Sequence, residues 1–296
     1  AAIADIHSRA FGGGYAEAQI VALHRQRPGY DPRLSLVAEL DGVVVGHILY
    51  SSRLFRLMGE DAAGVNLSPL GVHPLYQGRG IGSALVEAGD SLARDLGFSF
   101  SIVLGHKEYY PRFGYLPNAY GGAQTVLPSA ALPRGAGTTL ETRTVVAADA
   151  EALQGLWRAE EDGIDMAIVP DRGALAWYSP DPRVSCTVYL SLGRIVGYTR
   201  TAAHEGNNAR LFLAADGSAA LRMVSLLAQG GDVTLPLHPS SGSMSALARY
   251  GAPEVSATPY RMAKPLAPSP FDEYYDLVQR GERDPGRVIW PAEFDV

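Results

Sequence analysis

The spacing of apolar residues in the first third of the chain predicts two helices followed by a hairpin. The opening stretch AAIADIHSRAF spaces Ile3, Ile6 and Ala10 as one face of a helix does. Glycines at 12–14 interrupt this pattern, and AEAQIVALHRQ resumes it. The alternating apolar runs LSLVAEL and VVVGHILYSSRLF are separated only by Asp-Gly at 41–42, which predicts an antiparallel hairpin.

Strand and helix patterns alternate after this hairpin. AGVNLSPLGV predicts a third strand, residues 80–96 a helix, and FSFSIVL a buried strand. HKEYYPRF predicts a short helical piece, and extended chain resumes after Gly114. Helices, a hairpin and alternating strands and helices together predict an α/β fold with a mixed sheet.

The second half of the chain repeats this pattern. VAELDGVVVGHI at 37–48 matches VYLSLGRIVGYT at 188–199, with two glycines at the same spacing, and SALARYGAPE resembles YYPRFGYLP. The repetition predicts a second copy of the same fold, although hairpins can also be alike by chance. PSAALPRGAGT at 128–138 marks the boundary. We therefore expect domains at 1–134 and 139–265, and a tail at 266–296 that wraps the surface.

Composition limits the classes of function. The chain of 296 residues has 47% hydrophobic residues and a net charge of −6, which is typical of a globular protein and does not favour nucleic acid as a partner. No segment approaches the roughly 20 apolar residues that span a bilayer, so no membrane partner is expected. Cys186 is the only cysteine, which excludes an internal disulfide and a cysteine-built metal site and fits a cytoplasmic location. No metal site is visible.

Three glycines surround Arg79 where the helical pattern of residues 80–96 begins. Glycine costs about 1 kcal/mol in a helix interior, so its use at 78, 80 and 82 needs another reason. The first N–H groups of a helix lack partners, and the helix dipole makes this end positive. Without side chains in the way, these groups can bind a phosphate, and the Arg79 guanidinium would add a cation. The pattern predicts a pyrophosphate site; alternatively, the glycines only let the helix pack close to the sheet.

The motif is neither of two common phosphate-binding sequences. Gly-Lys-Ser/Thr is absent, and the unit begins with a hairpin. LSPLGVHP, YQGRGIGSAL and VLGHKEYYPRFGY instead resemble the GCN5-related N-acetyltransferases, whose signature is Gln/Arg-x-x-Gly-x-Gly/Ala. Gln77, Gly80 and Gly82 satisfy every defined position of it. The ending YYPRFGY is also similar to the N-terminal part of the "enhanced intracellular survival" proteins, which carry tandem acetyltransferase folds. The resemblance is strong over about 30–120 and faint over 139–265. It implies an N-terminal GNAT fold followed by a second, degenerate GNAT-like domain.

The resemblance implies acetyl-CoA as cosubstrate. Main-chain N–H groups of residues 79–83 would hold the pyrophosphate, and a bulged strand at 70–72, which splays from its neighbour, would pair with the pantetheine arm. The implied cofactor-binding residues are Leu70, Gly71, Val72, Gln77, Gly78, Arg79, Gly80, Ile81, Gly82 and Ser83.

Acetyl transfer to an amine requires proximity, a neutral amine and a protonated leaving thiol. Tyr110 lies four residues before Gly114, where the family places a tyrosine whose hydroxyl points at the thioester sulfur. It could also be a packed aromatic, and Tyr109 stands beside it. Glu17 and His73 are candidate bases, with His47 and His106 as further imidazoles. Ser68 and Asn66 are candidates for lining the acceptor pocket; alternatively, they only satisfy local backbone groups.

The second copy lacks these features. AADGSAALRM replaces the glycine-rich motif, and Leu247 stands where Tyr110 does in the first copy. We expect this half to be non-catalytic and to shape the cleft or form a homodimer. The predicted function is direct acetyl transfer, in a ternary complex, to a primary amine of a small molecule or peptide. A non-catalytic acetyl-CoA sensor and an interaction protein are the alternatives.

Overall fold

The computed structural model describes residues 1–133 and 140–296. The predicted boundaries at 134 and 139 lie outside the described residues. Two compact units are formed: unit 1 comprises residues 1–120, 258–283 and 296, and unit 2 comprises residues 121–257 and 284–295. The units are interleaved along the chain, whereas the predicted domains were consecutive, because the chain returns to unit 1 after leaving unit 2.

The described residues form seven α-helices and thirteen strands. The helices are α1 (Ala2–Ala10), α2 (Ala16–His24), α3 (Ile81–Asp95), α4 (Ala150–Glu161), α5 (Gly217–Leu227), α6 (Met244–Leu247) and α7 (Pro270–Gln279). The strands are β1 (Ser35–Leu40), β2 (Val43–Leu57), β3 (Glu60–Val72), β4 (Phe100–Leu104), β5 (Gly121–Leu127), β6 (Glu141–Thr144), β7 (Ala167–Val169), β8 (Val184–Ser191), β9 (Arg194–Ala202), β10 (Ala209–Ala214), β11 (Val233–Leu235), β12 (Pro253–Ala257) and β13 (Arg261–Pro265). None of the helices in these residues has both the length and the apolar character needed to cross a membrane.

The sheet of unit 1 is mixed, as predicted. Its strand order is β1-β2-β3-β4-β13. The β1–β2 hairpin turns at Asp41 and Gly42, whose φ angles are 51° and 77°, so the Asp-Gly pair supplies the left-handed conformations that a tight hairpin requires. Strand β3 runs antiparallel to β2 and parallel to β4, and β13 is antiparallel to β4.

A buried polar network ties α3 to the sheet of unit 1. Asp90 of α3 is 1% exposed and accepts hydrogen bonds from the hydroxyls of Tyr50 and Tyr115, each at 2.9 Å. Its second oxygen accepts a hydrogen bond from Lys264 Nζ at 2.8 Å. A buried carboxylate is tolerated only when it is paired and hydrogen-bonded. The carboxylate of Asp90 therefore connects α3 to β2 through Tyr50 and to β13 through Lys264.

The segment after Pro265 is not a surface tail. Phe271 and Tyr274 of α7 are fully buried, and the Phe271 ring stacks on Phe100 with centroids 5.4 Å apart. The Tyr274 hydroxyl donates a hydrogen bond to the Ala119 carbonyl at 2.9 Å. Apolar residues of this segment complete the core of unit 1. The proline and charge content of the segment does not predict this burial, because it depends on contacts with residues far away in the chain.

Unit 2 contains two sheets, ordered β10-β9-β8-β6 and β11-β5-β12. Its helix α5 begins after Asp216, whose carboxylate accepts a hydrogen bond from the Ala219 N–H at 2.8 Å. A carboxylate thus already occupies this helix N-terminus, which disfavours a phosphate there. Leu247 is fully buried. That unit 2 is a degenerate, non-catalytic copy of unit 1 remains a prediction.

Candidate active site

The cavity of unit 1 lies where β3 and β4 separate. The two strands pair only from Gly64 to Asn66, opposite Phe100 to Ile102. Further along, the register of β2 and β3 shifts between Ile48 and Tyr50, so β3 carries a bulge there. A cavity of about 740 Å³ is lined by the diverging part of β3, the start of α3 and the segment after β4. The splayed, bulged strand that the resemblance implied is present.

The start of α3 opens into this cavity. Gly78 and Gly80 have φ angles of 74° and 79°, in the left-handed region that glycine adopts without strain. Gly80 is the N-cap of α3 and makes no side-chain capping bond. The first turn of α3 contains no acidic residue. Because the first N–H groups of a helix have no intrahelical acceptor, those of Ile81 and Gly82 are left for an anion.

Gln77 and Arg79 shape the turn in different ways. The Gln77 amide donates a hydrogen bond to the Val72 carbonyl at 2.9 Å, which ties the turn to the end of β3. The Arg79 guanidinium lies over the Tyr76 ring at 5.3 Å and donates to the Leu75 carbonyl at 3.3 Å. The Arg79 side chain is not part of the cavity lining.

Arg112 is the guanidinium that lines the cavity. It stacks on the Tyr109 ring at 4.6 Å, and its Nε donates a hydrogen bond to the Tyr109 carbonyl at 3.2 Å. Tyr109 in turn lies against the glycine-rich turn, since a Cβ added at Gly82 would stand 2.8 Å from the Tyr109 hydroxyl. Sequence reasoning missed Arg112 although it belongs to the quoted YYPRFG motif.

Tyr110 also lines the cavity but is packed more deeply than Tyr109. It is 7% exposed, and its ring contacts Gly105 and lies edge-on to Tyr115 with centroids 5.6 Å apart. Burial raises the pKa of the Tyr110 hydroxyl above its ordinary value, so the group stays protonated at neutral pH. A protonated hydroxyl in a cavity can donate a hydrogen bond to a ligand.

The candidate bases fall into three environments. Glu17 and His106 line the cavity. His73 does not; its Nδ1 accepts a hydrogen bond from the Leu75 N–H at 3.3 Å and caps the turn after β3. His47 is fully buried with His7, at 2.7 Å between His47 Nδ1 and His7 Nε2. Burial lowers the pKa of His7 to about 4 and that of His47 to about 3, so both are neutral.

The two candidate pocket residues on β3 also differ. Ser68 lines the cavity. Asn66 is 1% exposed at the last position paired with β4, and in the described part of the chain neither atom of its amide has a hydrogen-bond partner.

Most of the predicted cofactor-binding residues come together in this cavity. The lining includes Leu70, Val72, Gln77, Gly78, Gly80, Ile81, Gly82 and Ser83. Gly71 and Arg79 are not in it. Gly71 faces the His7 ring, since an added Cβ would be 2.7 Å from His7 Nδ1. Within the ranges described, no group of three or more histidine, cysteine or acidic residues could hold a metal ion.

Comparison with known proteins finds a family match over the first part of the chain. Residues 1–115 match the acetyltransferase (GNAT) family. The chain is 39% identical over 117 residues to the uncharacterized N-acetyltransferase YjhQ of Escherichia coli K12, a match that covers 40% of this chain and 64% of that protein. The chain therefore spans less than two thirds of that curated relative.

Solved structures resemble a larger part of the chain. A GCN5-related N-acetyltransferase from Kribbella flavida has a TM-score of 0.67 at 20% identity, covering 89% of this chain and 68% of that one. Eis1 from Mycobacterium abscessus has a TM-score of 0.56 at 17% identity, covering 84% of this chain and 70% of that one. At these identities the likeness concerns the fold alone.

Proposed function

We propose that this protein is an acetyl-CoA-dependent N-acetyltransferase acting on a primary amine, because residues 1–115 match the acetyltransferase (GNAT) family. The observation that carries the proposal is the uncapped, glycine-rich start of α3 opening into the same cavity as the buried Tyr110. The proposed location is the cytoplasm.

Main-chain N–H groups at the start of α3 would bind the diphosphate of acetyl-CoA. Gly82 leaves the approach free of a side chain, and Arg112 adds a permanent positive charge to the same wall. Leu70 and Val72, on the part of β3 that β4 leaves unpaired, offer main-chain groups to the amides of the pantetheine arm.

The acetyl group passes directly from the thioester to the amine. The acceptor nitrogen forms a bond to the acetyl carbon, the carbon–sulfur bond breaks, the nitrogen loses a proton and the thiolate gains one. The Tyr110 hydroxyl donates a hydrogen bond to the departing sulfur. A thiol with a pKa of about 8.5 is a fair leaving group, so we expect Tyr110 to contribute at the low end of the 10²–10⁴-fold range for general acids.

The acceptor must lose a proton before it attacks, because a primary amine with a pKa of about 10.4 is mostly protonated at pH 7. Glu17 and His106 are the side chains in the cavity lining that could accept it, directly or through water. The position of His73 in the turn after β3 supports a capping role for it instead of a basic one.

The test is release of CoA thiol from acetyl-CoA in the presence of a panel of primary amines. The Tyr110→Phe variant should lower kcat about 100-fold with unchanged CoA affinity. The adjacent Tyr109→Phe variant serves as the matched control. It should retain kcat within about threefold, because the Tyr109 hydroxyl lies beside Gly82 at the start of α3, where the diphosphate and not the sulfur is proposed to bind. Binding of CoA without thiol release from any amine would instead support a sensor.

A further inference from the structure

The side of the cavity formed by α1 and α2 combines apolar side chains with one carboxylate. Phe11 follows α1 and is 45% exposed, while Glu17 and Ile20 belong to α2. Glu17 and Ile20 are three residues apart, so they share one face of the helix. Leu67 and Pro69 of β3 add further apolar surface to the lining.

The charges of the cavity are few and lie on separate elements. Among the described residues that line the cavity, Glu17 is the only one with a carboxylate and Arg112 the only one with a guanidinium. Arg112 stands beside Tyr109, which contacts the start of α3, whereas Glu17 lies on α2. The positive charge of Arg112, which suits a diphosphate, and the negative charge of Glu17 therefore lie on different elements of the cavity.

The carboxylate of Glu17 has no partner among the residues that the structure describes. Across residues 1–133 and 140–296, no ion pair or hydrogen bond engages its side chain. A half-buried carboxylate without a partner can be compensated by one ammonium group of a ligand. A second ammonium group on the same ligand would meet apolar side chains and lose hydration without a counter-charge, which is costly.

We infer that the acceptor is a primary amine that carries one positive charge on an apolar body. Glu17 holds the ammonium group before transfer, and Phe11 and Ile20 contact the apolar body. This inference rests on the proposed function and names the substrate class for the same cavity. It disfavours polyamines and aminoglycosides, which carry several ammonium groups.

Three amines test the inference with the full chain and acetyl-CoA: 2-phenylethylamine, ethylamine and spermidine. We expect kcat/KM for 2-phenylethylamine to exceed that of both others by about tenfold or more, since one added apolar group in a pocket discriminates by about 10- to 200-fold. Phe11→Ala should reduce kcat/KM for 2-phenylethylamine and leave that for ethylamine nearly unchanged.

Glu17→Gln separates anchoring from proton acceptance. If Glu17 anchors the ammonium group, the variant should raise KM for 2-phenylethylamine about tenfold while kcat stays within about twofold and CoA affinity is unchanged. Glu87→Gln, which removes an exposed carboxylate from α3, is the matched control and should change neither value.

Two kinds of result would overturn the inference. A preference for spermidine, or a fall in kcat at unchanged KM for Glu17→Gln, would refute the anchoring role while thiol release still upheld the proposed function. Thiol release with other amines of the panel but not with 2-phenylethylamine would refute the inference alone, whereas the absence of thiol release with every amine of the panel would refute both proposals.

Discussion

Gly82→Asp places a side chain and a negative charge where the diphosphate is proposed to bind. Gly82 occupies the first turn of α3, behind the uncapped Gly80. An added Cβ would be 2.8 Å from the Tyr109 hydroxyl, so that flexible end of the tyrosine must move by a few tenths of an ångström. The fold should tolerate the change, because aspartate in the first turn of a helix is stabilising by about 0.3–1 kcal/mol.

The loss of CoA affinity follows from charge repulsion. Two unit charges about 4 Å apart repel by about 4 kcal/mol at the effective dielectric of about 20 near a protein surface. This corresponds to roughly a 1000-fold change in Kd at about 1.4 kcal/mol per factor of ten. Rotation of the new side chain and screening by salt reduce the effect, so we expect CoA binding to weaken by at least about 100-fold.

Isothermal titration with CoA measures this loss, and thermal unfolding checks the fold. Ala88→Asp is the matched control, because it adds the same charge to an exposed position of α3 about 9 Å further along the helix. Its Kd should stay within about threefold of the unaltered protein. Unchanged CoA affinity in a folded Gly82→Asp protein would refute the proposal that α3 binds the diphosphate.

Further predictions concern charge, acid stability and the buried network. In a titration with CoA, Arg112→Ala should weaken binding about tenfold, because the Arg112 guanidinium lines the cavity. Arg79→Ala should weaken binding less than about threefold, because the Arg79 guanidinium lies over Tyr76 and does not line the cavity. Equal losses of CoA affinity would contradict this distinction. Burial lowers the pKa of His7 from 6.5 to about 4 and that of His47 to about 3, so the neutral forms stabilise the fold above pH 6.5. Urea unfolding should show the free energy of unfolding falling by about 3 kcal/mol for the pair as the pH falls from 6.5 towards 4, and a flat profile would refute the neutral pair. Lys264→Met removes the ammonium partner of the buried Asp90 carboxylate and should lower the free energy of unfolding by about 3 kcal/mol. A loss within about 0.5 kcal/mol, which is typical of an exposed ion pair, would show that the network contributes little to stability.

Local sequence signals predicted much of unit 1 because they act over short distances. The Asp-Gly turn specified the β1–β2 hairpin, and the glycines at 78 and 80 occupy the left-handed positions before α3. Alternating and helical apolar patterns located β3, α3 and β4 to within a few residues. Each of these features depends on residues that are neighbours in the chain.

Long-range pairing could not be predicted in the same way. Strand β13 pairs with β4 across more than 150 residues, and nothing in RMAKP identifies that partner. Asp90 shows the same difficulty. In the sequence it is an ordinary polar residue within a helical pattern, and its partner Lys264 lies 174 positions away. Arg112 lines the cavity and Arg79 does not, because each guanidinium stacks on a different tyrosine, which residue spacing does not determine.

A crystal structure with bound CoA tests the central claim most directly. We predict diphosphate oxygens at hydrogen-bond distance, about 2.9 Å, from main-chain nitrogens of Ile81 to Ser83, with the sulfur next to the Tyr110 hydroxyl. A diphosphate bound away from α3, or the Tyr109 hydroxyl still covering the start of that helix while CoA is bound, would contradict the account.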